Sequence, residues 1–102
     1  MLTGKQKSFL RGLANTIKPV MQIGKEGLNK EGVIEVLNYL EKHELMKISI
    51  NQNSDTTLEE LEAAFESLDI EVVQKIGRTL VLYQHSDKVD DPIKLPVKKV
   101  QK

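Results

Sequence analysis

The fold is decided by residues 70–83, IEVVQKIGRTLVLY. Two runs rich in β-branched residues, 70–76 and 79–83, are separated only by Gly77 and Arg78, which is a spacing typical of a β-hairpin. Two strands joined by so short a turn must be antiparallel, because a parallel pair needs a long crossover connection. The stretch therefore predicts an antiparallel pair within a larger sheet.

Helical and strand periodicities alternate in the chain before this hairpin. The spacing of Thr3 and Gln6 predicts a capping box that begins a first helix. The residue before a proline is disfavoured in a helix, so this helix ends before Lys18, and residues 19–23 are predicted to form a short strand. The apolar stripe of the helix, which we expect to be buried, is Phe9, Leu10, Leu13 and Ile17.

Two further helices are predicted on either side of a strand at residues 45–50, where apolar and polar residues alternate. Asn29 is the expected cap of the second helix, whose apolar residues are Val33, Ile34, Val36, Leu37 and Leu40. The third helix begins with a capping box at either Thr56 or Thr57. Its expected stripe is Leu58, Leu61, Phe65 and Leu68.

These elements predict a single compact α/β domain in the order α-β-α-β-α-β-β. Strands joined by crossover helices favour parallel pairing, whereas the last two are antiparallel, so the four strands form a mixed sheet packed with helices. A chain of 102 residues has room for one domain. We place this domain at residues 1–84 and expect residues 85–102 to form a polar, extended or mobile tail, in which residues 93–96 could pack on the domain.

Charge is distributed unevenly, although the formal net charge is zero. Residues 1–30 carry six Lys or Arg and one acid, residues 31–70 carry two bases and ten acids, and residues 71–102 carry seven bases and four acids. Two basic segments of this kind favour a nucleic-acid partner. A basic, acid-free start is also found in transit peptides, but the helix-start signals and the following strand favour a folded element.

Composition excludes several classes of protein. Without cysteine there are no disulfides, thiolate metal sites or cysteine nucleophiles. No run reaches the roughly 20 apolar residues of a membrane span, and no signal-peptide core precedes the first helix, so we expect a cytoplasmic protein with no membrane partner. His43 and His85 lack ligand or nucleophile partners at motif spacing. We therefore expect no enzyme activity, metal, cofactor or small-molecule substrate.

A glycine pair, Gly24 and Gly27, lies between the first strand and the second helix. Glycines let a phosphate approach the backbone, N–H groups near a helix start attract anions, and Lys25 adds positive charge. Glu26 would repel phosphate unless it points away. The spacing fits neither a nucleoside-triphosphate loop nor a dinucleotide fingerprint. The alternative is an ordinary strand-to-helix turn.

Lys5, Lys7 and Arg11 are predicted to form a basic face on the first helix, with no acid nearby in sequence. Lys75 and Arg78 add charge around the hairpin. Such a cluster either binds nucleic-acid phosphates or forms a solvated surface. The third helix carries an acidic set that is either solvated or, as an alternative function, binds a protein partner: Glu59, Glu60, Glu62 and Glu66.

The chain resembles the CRM domain, the chloroplast RNA-splicing and ribosome-maturation module, and especially its stand-alone bacterial YhbY-like members. The resemblance covers residues 3–83 in colinear order. It is carried by TGKQK at 3–7, LRGLA at 10–14, KPVMQIGKEGL at 18–28, HELMKISI at 43–50 and VQKIGRTLVLY at 73–83.

This resemblance implies a fold similar to the carboxy-terminal domain of bacterial translation initiation factor three. It also implies a non-catalytic, RNA-binding protein that associates with ribosomal RNA in the large-subunit precursor, and we expect a monomer. The family's glycine-rich RNA-contacting loop matches residues 24–27, whereas Gln84 departs from the pattern, which has an arginine there. The candidate RNA-binding residues are Lys5, Lys7, Arg11, Lys18, Gly24, Lys25, Gly27, Lys75 and Arg78.

Overall fold

The computed structural model describes residues 2–89 and 93–95. The elements are α1 (Gly4–Ala14), β1 (Met21–Ile23), α2 (Lys30–His43), β2 (Leu45–Ile50), α3 (Leu58–Glu66), β3 (Glu71–Ile76) and β4 (Thr79–Tyr83). The predicted order and the α/β class are confirmed. No helix in the described ranges is both long enough and apolar enough to cross a membrane.

Local capping fixes where each helix begins. The Thr3 hydroxyl accepts from the Gln6 N–H at 3.1 Å, and the Gln6 side chain accepts from the Thr3 N–H at 3.0 Å, which is the predicted capping box. Asn29 caps α2 through its side-chain oxygen, as expected. Of the two possible boxes before α3, the one that forms joins Thr57 to Glu60.

The sheet is mixed, with strand order β1-β2-β4-β3. β1 and β2 are parallel, whereas β4 is antiparallel to both of its neighbours, β2 and β3. The second strand of the hairpin therefore lies in the centre of the sheet, and β1 and β3 form its edges. β1 is shorter than the predicted strand at residues 19–23, although the Val20 N–H still donates to the Lys47 carbonyl at 2.9 Å.

Alternation along the strands divides the core into two clusters on opposite sides of the sheet. Met46, Ile48 and Ile50 of β2 pack with α2 and α3, while Leu45 of the same strand packs with Leu10 of α1. We call the two sides the α2–α3 face and the α1 face. The sheet therefore separates α1 from the other two helices.

Four apolar residues expected in the helix stripes are more exposed than predicted. Phe65 is fully buried, but Phe9 is 38% exposed and Leu13 37%. Phe9 lies about 100° around the helix from the buried Leu10, so a helix packed on one sheet face buries a narrower stripe than the sequence suggests. Ile34 in α2 is likewise exposed, and Leu68 lies beyond the end of α3 and is also exposed.

A buried carboxylate connects the domain to the chain after β4. Glu44, which follows α2 in a left-handed conformation with φ of 66°, has no exposed surface. Its side chain accepts from the backbone N–H groups of Ser86 and Ile93, both at 2.8 Å, and lies 3.2 Å from His85 Nδ1. Ile93 and Leu95 pack against the α1-side cluster. Residues 90–92 and 96–102 of the tail expected at residues 85–102 lie outside the described residues.

Candidate nucleic-acid interface

The glycine loop is a tight turn whose two central backbone N–H groups have no acceptor in the described part of the chain. The Gly27 N–H donates to the Gly24 carbonyl at 3.0 Å and closes the turn around Lys25 and Glu26. Within the described part of the chain, no protein acceptor is hydrogen-bonded to the N–H groups of those two central residues. The donors expected at the start of α2 are less available, because Asn29 already caps that helix.

The two glycines of this loop have different surroundings. Gly27 has φ of +82°, a conformation that L-residues with a side chain rarely adopt, and a Cβ at this position would overlap the Thr56 hydroxyl. Gly24 has no positive φ, and a Cβ there would meet no atom within 4 Å. Gly27 is therefore required by the shape of the loop, whereas Gly24 leaves open space above the backbone.

Three connections meet at the end of the sheet where this loop lies. The Asn51 N–H donates to the Ile23 carbonyl at 2.9 Å, and the Asp55 N–H donates to the Lys25 carbonyl at 3.2 Å. The Ile50 N–H donates to the Arg78 carbonyl at 2.8 Å, which places the hairpin turn at the same end. The structure thus brings the predicted residues Lys25 and Arg78, both exposed, to one end of the sheet.

The basic residues of α1 are not all on one side of the helix. Successive residues are about 100° apart around a helix, so Lys7 and Arg11 share one flank, whereas Lys5 lies on the other side. Lys7 lines a surface depression together with three acids that are distant in sequence, Glu66, Asp69 and Glu71. No acid lies near Lys7 in the sequence, but the folded chain brings three acids to the same depression. The expected acid-free surroundings of the basic face are therefore wrong at Lys7. Lys18 is exposed in the connection between α1 and β1.

Lys75 already has an acidic partner. Its ammonium lies 2.9 Å from the Glu62 carboxylate on α3. This hydrogen bond, with the negative charge of Glu62, raises the pKa of Lys75. Because Lys75 is opposite Leu80 in the β3–β4 register, it lies on the α2–α3 face and apart from Lys25 and Arg78.

The sheet also separates the charges of the three helices. α1 carries three basic residues and no acid. On the other side, α3 carries four acids and no base, and α2 carries three acids and two lysines. The helix on one side of the sheet is therefore basic and the two on the other side are acidic in balance, which is the kind of separation expected for a surface that meets a polyanion.

Lys47 is a basic residue of the α1 face that was not among the predicted site residues. This half-buried lysine alternates with Met46 and Ile48 in β2, so it lies on the α1 face. The alternation itself was visible in the sequence and would have assigned Lys47 to the same face as the basic helix. No group of three or more His, Cys, Asp or Glu side chains suited to a metal ion occurs at residues 2–89 or 93–95.

The fold and the charge placement define a small α/β domain with a basic face and a glycine turn at one end of its sheet. The sequence profile of the CRS1/YhbY (CRM) domain matches residues 2–84. The chain belongs to this family.

Relatives with known names or structures cover nearly all of the chain. It is 41% identical over 97 residues to the probable RNA-binding protein YqeI of Bacillus subtilis, covering 94% of this chain and 100% of that protein. It is 37% identical over 98 residues to an RNA-binding protein of Haemophilus influenzae, covering 95% and 97%. The solution structure of a hypothetical protein from Staphylococcus aureus matches with a TM-score of 0.76 and 42% identity, covering 94% of this chain and 100% of that one.

Proposed function

We propose that this chain is a monomeric, non-catalytic RNA-binding protein of the cytoplasm that binds ribosomal RNA during assembly of the large ribosomal subunit. Its relatives named as RNA-binding proteins support the RNA partner. The observation that carries the proposal is the distribution of charge: α1 carries three basic residues and no acid of its own, and the exposed side chains of Lys25 and Arg78 belong to connections at one end of the sheet.

The proposed binding mode relies on phosphates. The N–H groups of Lys25 and Glu26, with the Lys25 ammonium, would hold a phosphate at the glycine turn. Arg78 and the basic residues of α1 would extend the electrostatic contact along the RNA. Glu26 is exposed, so its carboxylate is free to point into solvent while its backbone N–H faces the phosphate. Lys75 contributes less, because its positive charge is already paired with the Glu62 carboxylate.

The α1 prediction concerns affinity and its salt dependence. Replacing Lys5, Lys7 and Arg11 together by alanine should weaken binding of structured ribosomal RNA by roughly tenfold or more, and should flatten the dependence of affinity on salt. Filter binding at two or more salt concentrations measures both. The melting temperature should change little, since exposed charges usually contribute less than about 1 kcal/mol each. If the affinity and the salt slope are unaltered, α1 is not part of the RNA-binding surface.

Lys25→Ala tests the positive charge of the glycine turn while keeping its backbone N–H groups. Lys25→Ala should reduce the salt slope by roughly one unit or less and weaken RNA binding modestly, because a single phosphate contact is lost. The matched control is Lys42→Ala, which removes an exposed lysine from the far end of α2. If the two variants bind RNA alike, the glycine turn is only a connection between β1 and α2. A protein that captures no RNA but binds a protein through α3 would instead support the adaptor alternative.

A further inference from the structure

A row of four side chains crosses the α1 face beside the glycine turn. The strand register places Gln22 of β1 opposite Ser49 of β2, Ser49 opposite Thr79 of β4, and Thr79 opposite Ile76 of β3. Directly paired residues point to the same side of a sheet. Ser49 lies between Ile48 and Ile50, which face α2 and α3, so the whole row faces the side of α1.

The row is exposed to solvent at both edges of the sheet. Gln22 is exposed and Ile76 is 49% exposed, while Ser49 and Thr79 between them are half-buried. α1 packs over the rest of the same face, where Leu45, Val81 and Tyr83 form its cluster. The helix therefore covers the rows that contain Val81 and Tyr83 and leaves the row of Ser49 and Thr79 partly accessible.

The polar side chains of the row have no hydrogen-bond partner among the residues that the structure describes. Within residues 2–89 and 93–95, no hydrogen bond involves the Gln22 amide or the Ser49 and Thr79 hydroxyls. These groups both donate and accept. An amide and two hydroxyls in a line across three strands form a surface ready for hydrogen bonds with a bound molecule.

Positive charge borders the row, and none of its four residues is acidic. Lys47 lies two residues before Ser49 on the same face, and Arg78 and Lys25 lie at the adjoining end of the sheet. The neighbouring row contains Lys47, Val81 and Gln74, again without a carboxylate. Acids lie at both ends of the sheet: Glu26 follows Lys25 in the glycine turn, the Asp55 N–H donates to the Lys25 carbonyl, and Glu71 lies at the opposite end of β3. Lys47 and Arg78 therefore supply the positive charge that favours a polyanion at this row.

We propose that this row, which we call the open row (Gln22, Ser49, Thr79 and Ile76), binds the riboses of a single-stranded RNA segment and makes the protein prefer RNA to DNA. The inference rests on the proposed function, which supplies the phosphate contacts at Lys25 and Arg78. Hydroxyl and amide side chains are suited to the ribose 2′-hydroxyl, which both donates and accepts and which DNA lacks. Ile76 provides an apolar contact for a base or sugar at the edge.

The dimensions of the open row match a short single-stranded segment. Adjacent strands are about 4.8 Å apart, so four strands span about 14 Å, which accommodates two extended nucleotides. The open row contains no aromatic residue on which a base could stack. Its contacts are therefore expected to detect the sugar more than the identity of the base.

The test compares two probes that differ only in the sugar: a short oligouridylate and the oligodeoxyuridylate of the same length. The variant Ser49→Ala/Thr79→Val removes both hydroxyls while nearly keeping side-chain volume. The control Ser8→Ala/Asn38→Ala removes exposed polar groups from the outer side of α1 and from α2. We expect the parent and the control to bind the ribose probe about fivefold or more tightly than the deoxyribose probe, and the hydroxyl variant to lose most of this preference. Binding of the deoxyribose probe and the salt slope should be unchanged.

The outcomes separate this inference from the proposed function. An unchanged preference in a hydroxyl variant that melts like the parent would overturn the open row and leave the phosphate contacts intact. The same holds if the parent binds structured ribosomal RNA in a salt-dependent manner but shows no preference between the two probes or does not bind the single strand. Failure of the parent to bind any RNA would overturn both proposals.

Discussion

Glu44→Ala should lower the free energy of unfolding by about 3 kcal/mol or more, the largest effect we expect from a substitution at a single site. The carboxylate is fully buried, and both of its oxygens accept backbone N–H groups at 2.8 Å. Removing it leaves those donors without a partner inside the protein, and burying an unsatisfied group is costly. Chemical denaturation monitored by circular dichroism measures the change.

Two further variants identify the cause of this effect. Asp87→Ala removes a carboxylate that is 94% exposed and also contacts His85, so its stability should stay within about 0.5 kcal/mol of the parent. Glu44→Gln keeps one strong acceptor and should fall between the two. If Glu44→Ala unfolds at the same denaturant concentration as Asp87→Ala, the carboxylate does not hold residues 86 and 93 against the domain.

Gly27→Asp should lower the free energy of unfolding by about 2 kcal/mol and weaken RNA binding as well. The φ of +82° costs a residue with a Cβ about 1–2 kcal/mol, and the new Cβ overlaps the Thr56 hydroxyl, which must rotate away. The added carboxylate also places negative charge at the proposed phosphate position. Unfolding and RNA affinity are measured on the same sample.

Gly24→Ala is the matched control for this prediction. A Cβ at Gly24 meets nothing within 4 Å, so the protein should keep its stability, and any loss of RNA affinity would come from obstructing the approach of a phosphate. Gly27→Asp alone cannot separate misfolding from lost binding, whereas Gly24→Ala can. Equal stability of Gly27→Asp and the parent would contradict the left-handed turn as a requirement of the fold.

Local interactions explain why so much of the fold was predictable. The bonds between Thr3 and Gln6 and between Thr57 and Glu60 join residues three apart, so their spacing in the sequence determines them. The hairpin turn at Gly77, with φ of +56°, is equally local. The order of strands in the sheet, with β4 between β2 and β3, depends on long-range pairing and was not predicted beyond a mixed sheet.

The site was less predictable because its charges meet through tertiary structure. Glu66, Asp69 and Glu71 approach Lys7 only when β3 is placed beside α1, and Glu62 reaches Lys75 across the face of the sheet. The exposure of Phe9 depends on how wide a stripe the sheet can cover. Glu44 could not be recognised as buried from its polar type, because its partners lie 42 and 49 residues further along the chain.

The separation of charge across the sheet gives this molecule a dipole moment without a net charge. In the field of a polyanion, a neutral body of this kind is subject mainly to a torque, which under the proposed function would turn the α1 face toward the RNA before any contact forms. Salt weakens this alignment over distances of about 10 Å, so association should slow as ionic strength rises even though the whole protein is neutral. If the protein binds RNA as proposed, the acidic helices would repel the polyanion from the opposite side, and each molecule would present a single face to one strand of RNA.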